Sequence, residues 1–312
     1  MTESIGSRPL AGTRALARLL SRVEGGQRVT DLVPGQALVI GLTGAPGVGK
    51  STVTSALIAQ YRAAGRRVGV LAVDPSSPFT GGALLGDRIR MQQHATDEGV
   101  FIRSMASRGH LGGLAAAAPQ AVRVLDAAGF DVIIIETVGV GQAEVEIASQ
   151  ADSVIVLLAP GMGDAIQAAK AGILETGDLF VVNKADKPDV QQVVRDLRTM
   201  LALGSWDAGW KPPILTTVGS EGTGLPEVVA ALDAHREWLI ASGELERRRL
   251  ARARDEIMAV AMGSLRARMS SVAGVDLADL AARTAAGELD PYDAAAELLA
   301  SAGCVAPEPA GG

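Results

Sequence analysis

Cysteine occurs once in these 312 residues, at Cys304. A single thiol permits neither an internal disulfide nor a cysteine-based metal site, and it fits a reducing cytoplasm. The three histidines, His94, His110 and His235, show no ligand spacing, so a histidine metal cluster is not expected. Positive charge is in deficit, with 29 Lys and Arg against 35 Asp and Glu, and aromatics make up 3% of the chain. A basic stripe interleaved with aromatics is therefore missing, which argues against a nucleic-acid partner. No apolar run approaches the ~18 residues of a membrane span. Met1-Thr2-Glu3-Ser4 opens no signal peptide. These absences lead to the expectation of a soluble, cytoplasmic protein with no membrane partner.

What the chain has is apolar strand signal and glycine: 48% of it is hydrophobic and 37 residues are Gly. The run Leu38-Val39-Ile40-Gly41-Leu42 leads directly into Gly44-Ala45-Pro46-Gly47-Val48-Gly49-Lys50-Ser51-Thr52, a phosphate-binding loop in its expected setting of strand, loop and helix start. Gly44, Gly47 and Gly49 let the backbone aim successive N–H groups at one point, and the helix beginning near Lys50 adds its positive end. Lys50 is placed to reach the β and γ phosphates of a nucleotide. The Ser51 hydroxyl completes a Mg²⁺ shell, and Thr52 helps fix the α phosphate.

Leu179-Phe180-Val181-Val182-Asn183-Lys184-Ala185-Asp186 is an apolar strand ending in NKxD. Asp186 can accept two hydrogen bonds from the ring N–H and exocyclic amine of guanine. Adenine offers no such pair, and an unpaired carboxylate is costly, so the contact rejects ATP strongly. Asn183 braces the loop and the base edge, and the Lys184 stem lies across the base. The strand and loop over Ile214–Gly219 supply Thr217, Val218 and Gly219 as backbone beside the guanine oxygen.

Asp131-Val132-Ile133-Ile134-Ile135-Glu136-Thr137-Val138-Gly139 reads as a buried strand that carries Glu136 to its carboxyl end, where open parallel sheets bind ligands. Glu136 is the candidate Mg²⁺ acid, a longer residue than the usual Asp, and the Gly139 N–H is placed to sense the γ phosphate. Val68 to Pro75 repeats the design with Asp74 at its end, and Asp87 follows in Gly86-Asp87-Arg88. Both are candidates for the metal's inner or outer shell, and both are also suited to capping a helix. Water attack on the γ phosphate in line needs positive charge more than a base. Gln142 is a candidate to orient that water, and Arg108 is a candidate second cation.

Residues 1–35 read as a helical arm with Leu10, Leu16, Leu19, Leu20 and Val23 on one face. Strands and helices alternate over residues 36–240, as in an α/β fold with a mainly parallel sheet and right-handed crossovers. Residues 241–312 are helical. In that tail, Leu250, Ile257, Val260, Ala261 and Leu265 form a stripe of the kind that buries against another subunit.

Taken together, Gly44 to Thr52, Leu71 to Pro78, Gly86 to Met91, Arg103 to Gly113, Glu136 to Gln142 and Asn183 to Asp186 resemble the methylmalonyl-CoA mutase-associated GTPases. These are the MeaB/ArgK type, P-loop GTPases of the SIMIBI class. The resemblance runs through nearly the whole chain, and the Arg103 to Gly113 and Glu136 to Gln142 strings are more specific than the phosphate loop. It implies a homodimeric, Mg²⁺-dependent GTPase that converts GTP to GDP and acts as chaperone to an adenosylcobalamin-dependent acyl-CoA mutase. Such proteins gate cofactor loading and protect the mutase from inactivation. Carried onto this chain, the metal set is Ser51, Asp74, Asp87 and Glu136, and the base set is Asn183, Lys184 and Asp186. Residues 161–170 match a third switch, with Ala165, Ala168 and Ala169 where bulkier or charged residues are often found.

Two other functions share this design. A nickel or cobalt metallochaperone GTPase normally carries Cys or His ligands, which this chain lacks. An ATP-dependent kinase of an amino-acid transport system is opposed by NKAD.

Overall fold

In a computed structural model of the chain, the residues described are 12–75, 94, 96–107, 113–137, 149–161, 176–203, 209–270, 277–301 and 303. The chain divides into two compact units, Met1–Ala253 and Arg254–Gly312.

The first unit is built on a seven-stranded sheet in the order β3-β2-β4-β1-β5-β6-β7. Its strands are β1 (Leu38–Thr43), β2 (Val68–Pro75), β3 (Val100–Ser107), β4 (Val132–Thr137), β5 (Ser153–Leu158), β6 (Leu179–Val182) and β7 (Ile214–Thr216). Every pairing is parallel. Strands β1, β4, β5 and β6 are buried along their whole length. Apolar runs of this kind mark a sheet covered on both faces, where no side chain meets water. Successive strands leave β1 in opposite directions, toward β2 and β3 on one side and β5 to β7 on the other. The carboxyl ends beside β1 are therefore the switch point where such sheets bind ligands.

Helices cover both faces. On one, α2 (Lys50–Ala63) and α5 (Leu225–Ala241) contribute Val53, Leu57, Ile58, Val228 and Leu232 to a core with Ile40, Ile134 and Val181. On the other, α3 (Gly113–Ala127), α4 (Val190–Leu203) and the arm helix α1 (Thr13–Glu24) pack over Val39, Ile133 and Val156. Leu16, Leu19, Leu20 and Val23 are the buried face of α1. An ion pair from Arg103 on β3 to Glu24 ties down its end. Asp126 holds the connection from arm to sheet by accepting from Gly35 N (2.7 Å) and Ala37 N (2.9 Å).

The helix α6 (Glu244–Ser270) begins in this unit. Its Arg248 donates twice to Asp178 (both 2.9 Å), and Arg249 and Arg252 both reach the buried Asp152. Asp152 and Asp178 directly precede β5 and β6, so these pairs secure the amino ends of the strands, opposite the switch point. Beside them His235, fully buried, accepts or donates at Nδ1 to Ser153 Oγ (2.8 Å). It stacks on Trp238 with ring centroids 5.6 Å apart and meets Trp210 at 4.7 Å.

In the second unit α6 is followed by α7 (Leu277–Ala285) and α8 (Pro291–Ser301), the eighth helix among the described residues. Asp290 caps α8 through its carboxylate and the Tyr292 N–H, 2.8 Å apart. Leu280 and Leu298 are buried, whereas Ile257, Met258, Val260 and Met262 of α6 are exposed. No helix among the described residues is long and apolar enough to cross a membrane.

Candidate functional site

The phosphate loop links β1 to α2, and its backbone can be made only with glycine at two points. Gly44 has φ 147°, and a methyl group there would run into the carbonyl of Leu157 on β5. Gly49, the residue before α2, is left-handed at φ 98°, and a methyl there would stand 2.5 Å from Asn183 Nδ2. Both are close backbone approaches that a Cβ forbids. The helix α2 starts at Lys50, so its positive amino end adjoins the loop.

Lys50 is buried, and its ammonium donates to the carbonyls of Gly44 (2.5 Å) and Ala45 (3.1 Å). That fixes a positive charge within the loop. Glu136, at the carboxyl end of β4, is buried against α2. Its Oε1 accepts from Ser51 Oγ and its Oε2 from Thr54 Oγ1, each at 2.7 Å. The β1–β4 register, with Leu42 opposite Glu136, brings the acid level with the loop.

The end of β6 closes the other side. Asn183 donates from Nδ2 to Val48 O (2.9 Å), while its Oδ1 accepts from Gly219 N (2.9 Å) and Thr217 Oγ1 (3.1 Å). One amide therefore joins the phosphate loop, the NKAD segment and the loop after β7. Lys184, left-handed at φ 58°, donates from Nζ to Gly47 O (2.7 Å). Its stem thus spans from the NKAD segment to the phosphate loop. Asp186 faces outward, 41% exposed, with Lys187 Nζ 3.2 Å away.

The structure thus gathers Gly44 to Thr52, Glu136, Asn183, Lys184, Thr217, Val218 and Gly219 at one edge of the sheet. Asp74 ends β2 at that same edge, paired in register with Ala106. Asp87, Arg108, Gly139 and Gln142 lie outside the described residues, as does the proposed switch beyond Gly161. Thr54 was not singled out from the sequence, although its position three residues after Ser51 places both hydroxyls on one helix face. The contact that draws attention to it comes from a distant strand.

Ser51 Oγ and Glu136 Oε1 converge beside the loop as hard oxygen donors, the ligand type Mg²⁺ takes. The residues present therefore fit that ion. A phosphate-binding nest, an acid at a neighbouring strand end and an NKxD segment braced against the nest define a P-loop GTPase.

The comparisons agree. Residues 22–273 match the family model described as methylmalonyl Co-A mutase-associated GTPase MeaB. A protein of Pyrococcus abyssi provisionally named a GTPase is 46% identical over 92% of this chain and 92% of its own length. The GTPase ArgK of Escherichia coli is 41% identical over 68% of this chain and 65% of its own. The mitochondrial methylmalonic aciduria type A homolog of Mus musculus is 36% identical over 76% and 59%. A crystal structure titled LAO/AO transport system kinase superposes with TM-score 0.66 at 26% identity, covering 93% of each chain. This chain belongs to the MeaB family, and it is a GTPase that binds GTP and GDP.

Proposed function

We propose that this GTPase is Mg²⁺-dependent and serves as chaperone to an adenosylcobalamin-dependent acyl-CoA mutase, with methylmalonyl-CoA mutase as the first candidate, gating cofactor loading and protecting the mutase from inactivation. The observation that carries this reading is the extent of the family match, which runs from residue 22 in the arm through the whole sheet and beyond it to residue 273.

In the proposed reaction the loop N–H groups and Lys50 hold the β and γ phosphates and neutralise charge as water attacks in line. Mg²⁺, when bound, would supply positive charge against the charge that develops on the phosphates. Ser51 and Glu136 would hold it, with Asp74 and Asp87 completing its surroundings. Gln142 orients the water, the Gly139 N–H senses the γ phosphate, and residues 161–170 relay the nucleotide state to the mutase. Asp186 reads guanine, with Asn183 and Lys184 shaping the pocket. The chain is divided as an arm (1–35), a G domain (36–240) and a helical region (241–312). Exposed Leu250, Ile257 and Val260, on one face of α6, support a homodimer, proposed to reside in the cytoplasm.

The test is to mix the pure protein with adenosylcobalamin-loaded methylmalonyl-, isobutyryl- and ethylmalonyl-CoA mutases in turn. One of them is expected to co-elute with it and to raise GTP turnover about tenfold or more. Failure with all three would overturn the chaperone role. Preference for ATP over GTP would favour the transport-kinase alternative, and tight Ni²⁺ or Co²⁺ binding without GTP the metallochaperone.

A further inference from the structure

The acid at the end of β4 is Glu, whose extra methylene gives the carboxylate more freedom than the usual Asp. In this chain that freedom is checked from α2. Ser51 and Thr54 stand three residues apart on one helix face, and each donates to a different oxygen of Glu136 at 2.7 Å. Ser51 is a proposed metal ligand, so its hydroxyl is shared when the ion is bound. Thr54 is fully buried, about one helical turn beyond Ser51 along α2. Its bond to Oε2 does not compete with a ligand at Oε1. A hydrogen bond to a carboxylate is among the stronger ones, and in a dry site it restricts both rotation and swing.

We infer that Thr54 is a positioning residue. By anchoring Oε2 it holds Oε1 of Glu136 toward Ser51 and the Mg²⁺ shell, compensating for the longer side chain. This rests on the Mg²⁺-dependent reading above. Removing the hydroxyl while keeping the shape would take away the anchor of Oε2 and leave Ser51 to hold the carboxylate at Oε1, so the ion would bind less tightly, whereas the phosphate nest and base pocket would be intact.

The experiment measures binding of GDP and of a non-hydrolysable GTP analogue by calorimetry across a range of Mg²⁺ concentrations, and also in EDTA. It compares the wild type with Thr54→Val and Thr54→Ser. The wild type is expected to tighten as Mg²⁺ rises. Thr54→Val should need about tenfold more Mg²⁺ to reach the same midpoint, with GDP affinity in EDTA unchanged, and Thr54→Ser should restore the wild-type midpoint. An unchanged Mg²⁺ midpoint in folded Thr54→Val would overturn the inference. So would an equal loss in EDTA that serine does not rescue, since that is a packing effect. If the wild type itself shows no Mg²⁺ dependence, the underlying reading fails instead. Should Thr54→Val fold poorly, Thr54→Ala supplies the same comparison.

Discussion

Asn183 Nδ2 donates to Val48 O at 2.9 Å, a bond between residues 135 apart in the chain. It joins the NKAD segment, proposed to read the base, to the loop proposed to grip the phosphates. The same amide accepts from Gly219 N and Thr217 Oγ1, so three loops share one buried side chain. Asn183→Ala is expected to leave all three partners unpaired and to cost about 2–3 kcal/mol in urea unfolding of the nucleotide-free protein. GDP affinity should fall at least as strongly, because loop and base pocket lose their common brace. A variant with wild-type urea midpoint and wild-type GDP affinity would show that the amide holds nothing together.

Asp186 is expected to discriminate by charge and hydrogen-bond pattern, and its exposure leaves it accessible to a base. Asp186→Asn should therefore shift preference from guanine to xanthine nucleotides, because an amide can donate where the carboxylate could only accept. Competition of GTP, XTP and ATP for a fluorescent nucleotide measures this. Retained GTP preference would remove Asp186 as the reader of the base.

Lys50→Ala should abolish measurable binding of triphosphate in calorimetry. The ammonium held by Gly44 O and Ala45 O is the one side-chain cation of the phosphate loop, and its loss forfeits a charge-assisted contact in a buried setting. Normal GTP affinity in this variant would move the phosphate site elsewhere.

Acid should weaken the first unit in two steps. Burial pushes the His235 imidazole below its ordinary value of 6.5, against the pull of Asp178. The folded protein thus keeps the ring neutral while the unfolded chain takes up a proton. Stability from this source is complete above about pH 6.5 and is lost as pH falls through that value toward the folded one. For Asp152 burial opposes the charge, but Arg252 and Arg249 prevail and hold the carboxyl below its ordinary 3.8. Its contribution is present above 3.8 and disappears as pH falls on through the folded value. Urea midpoints measured from pH 8 to pH 5 should decline in the wild type, and His235→Gln should flatten that decline. An equal slope in both proteins would rule out the histidine as its source.

Arg248→Met should destabilise the first unit by about 2 kcal/mol, because it takes the guanidinium from the Asp178 carboxylate, 7% exposed, and leaves that charge to the Val154 N–H and His235. The figure is set below that for a fully buried pair, since Arg248 itself is 29% exposed. Thermal or urea unfolding of Arg248→Met, alone and with Asp178→Asn, checks it. The double variant should recover part of the loss.

Several features were legible along the chain because they are local. The apolar runs ending in a glycine-rich loop, in Glu136 and in Asn183-Lys184-Ala185-Asp186 each declare a strand and what it carries, since a strand buried on both faces admits little but aliphatic residues. The leucine face of α1 and the breaks at Gly26 and Gly243 follow from helical spacing and the left-handed freedom of glycine. What covers α1 did not follow: the arm closes over the face shared with α3, a choice made by whichever apolar surface remained to be buried.

Residue types and their spacing were enough to place a glycine-rich loop after β1, an NKxD segment after β6 and an acid at the end of β4, because each of those patterns is written within a few consecutive positions. Folding settled the rest: that Glu136 bonds to Thr54 as well as Ser51, that Asn183 braces the phosphate loop, and that Arg248, Arg249 and Arg252 pin the starts of two strands. Those partners lie tens to over a hundred positions apart, and no local pattern specifies a pairing that arises only when parallel strands align their ends and bury polar groups that must then find one another.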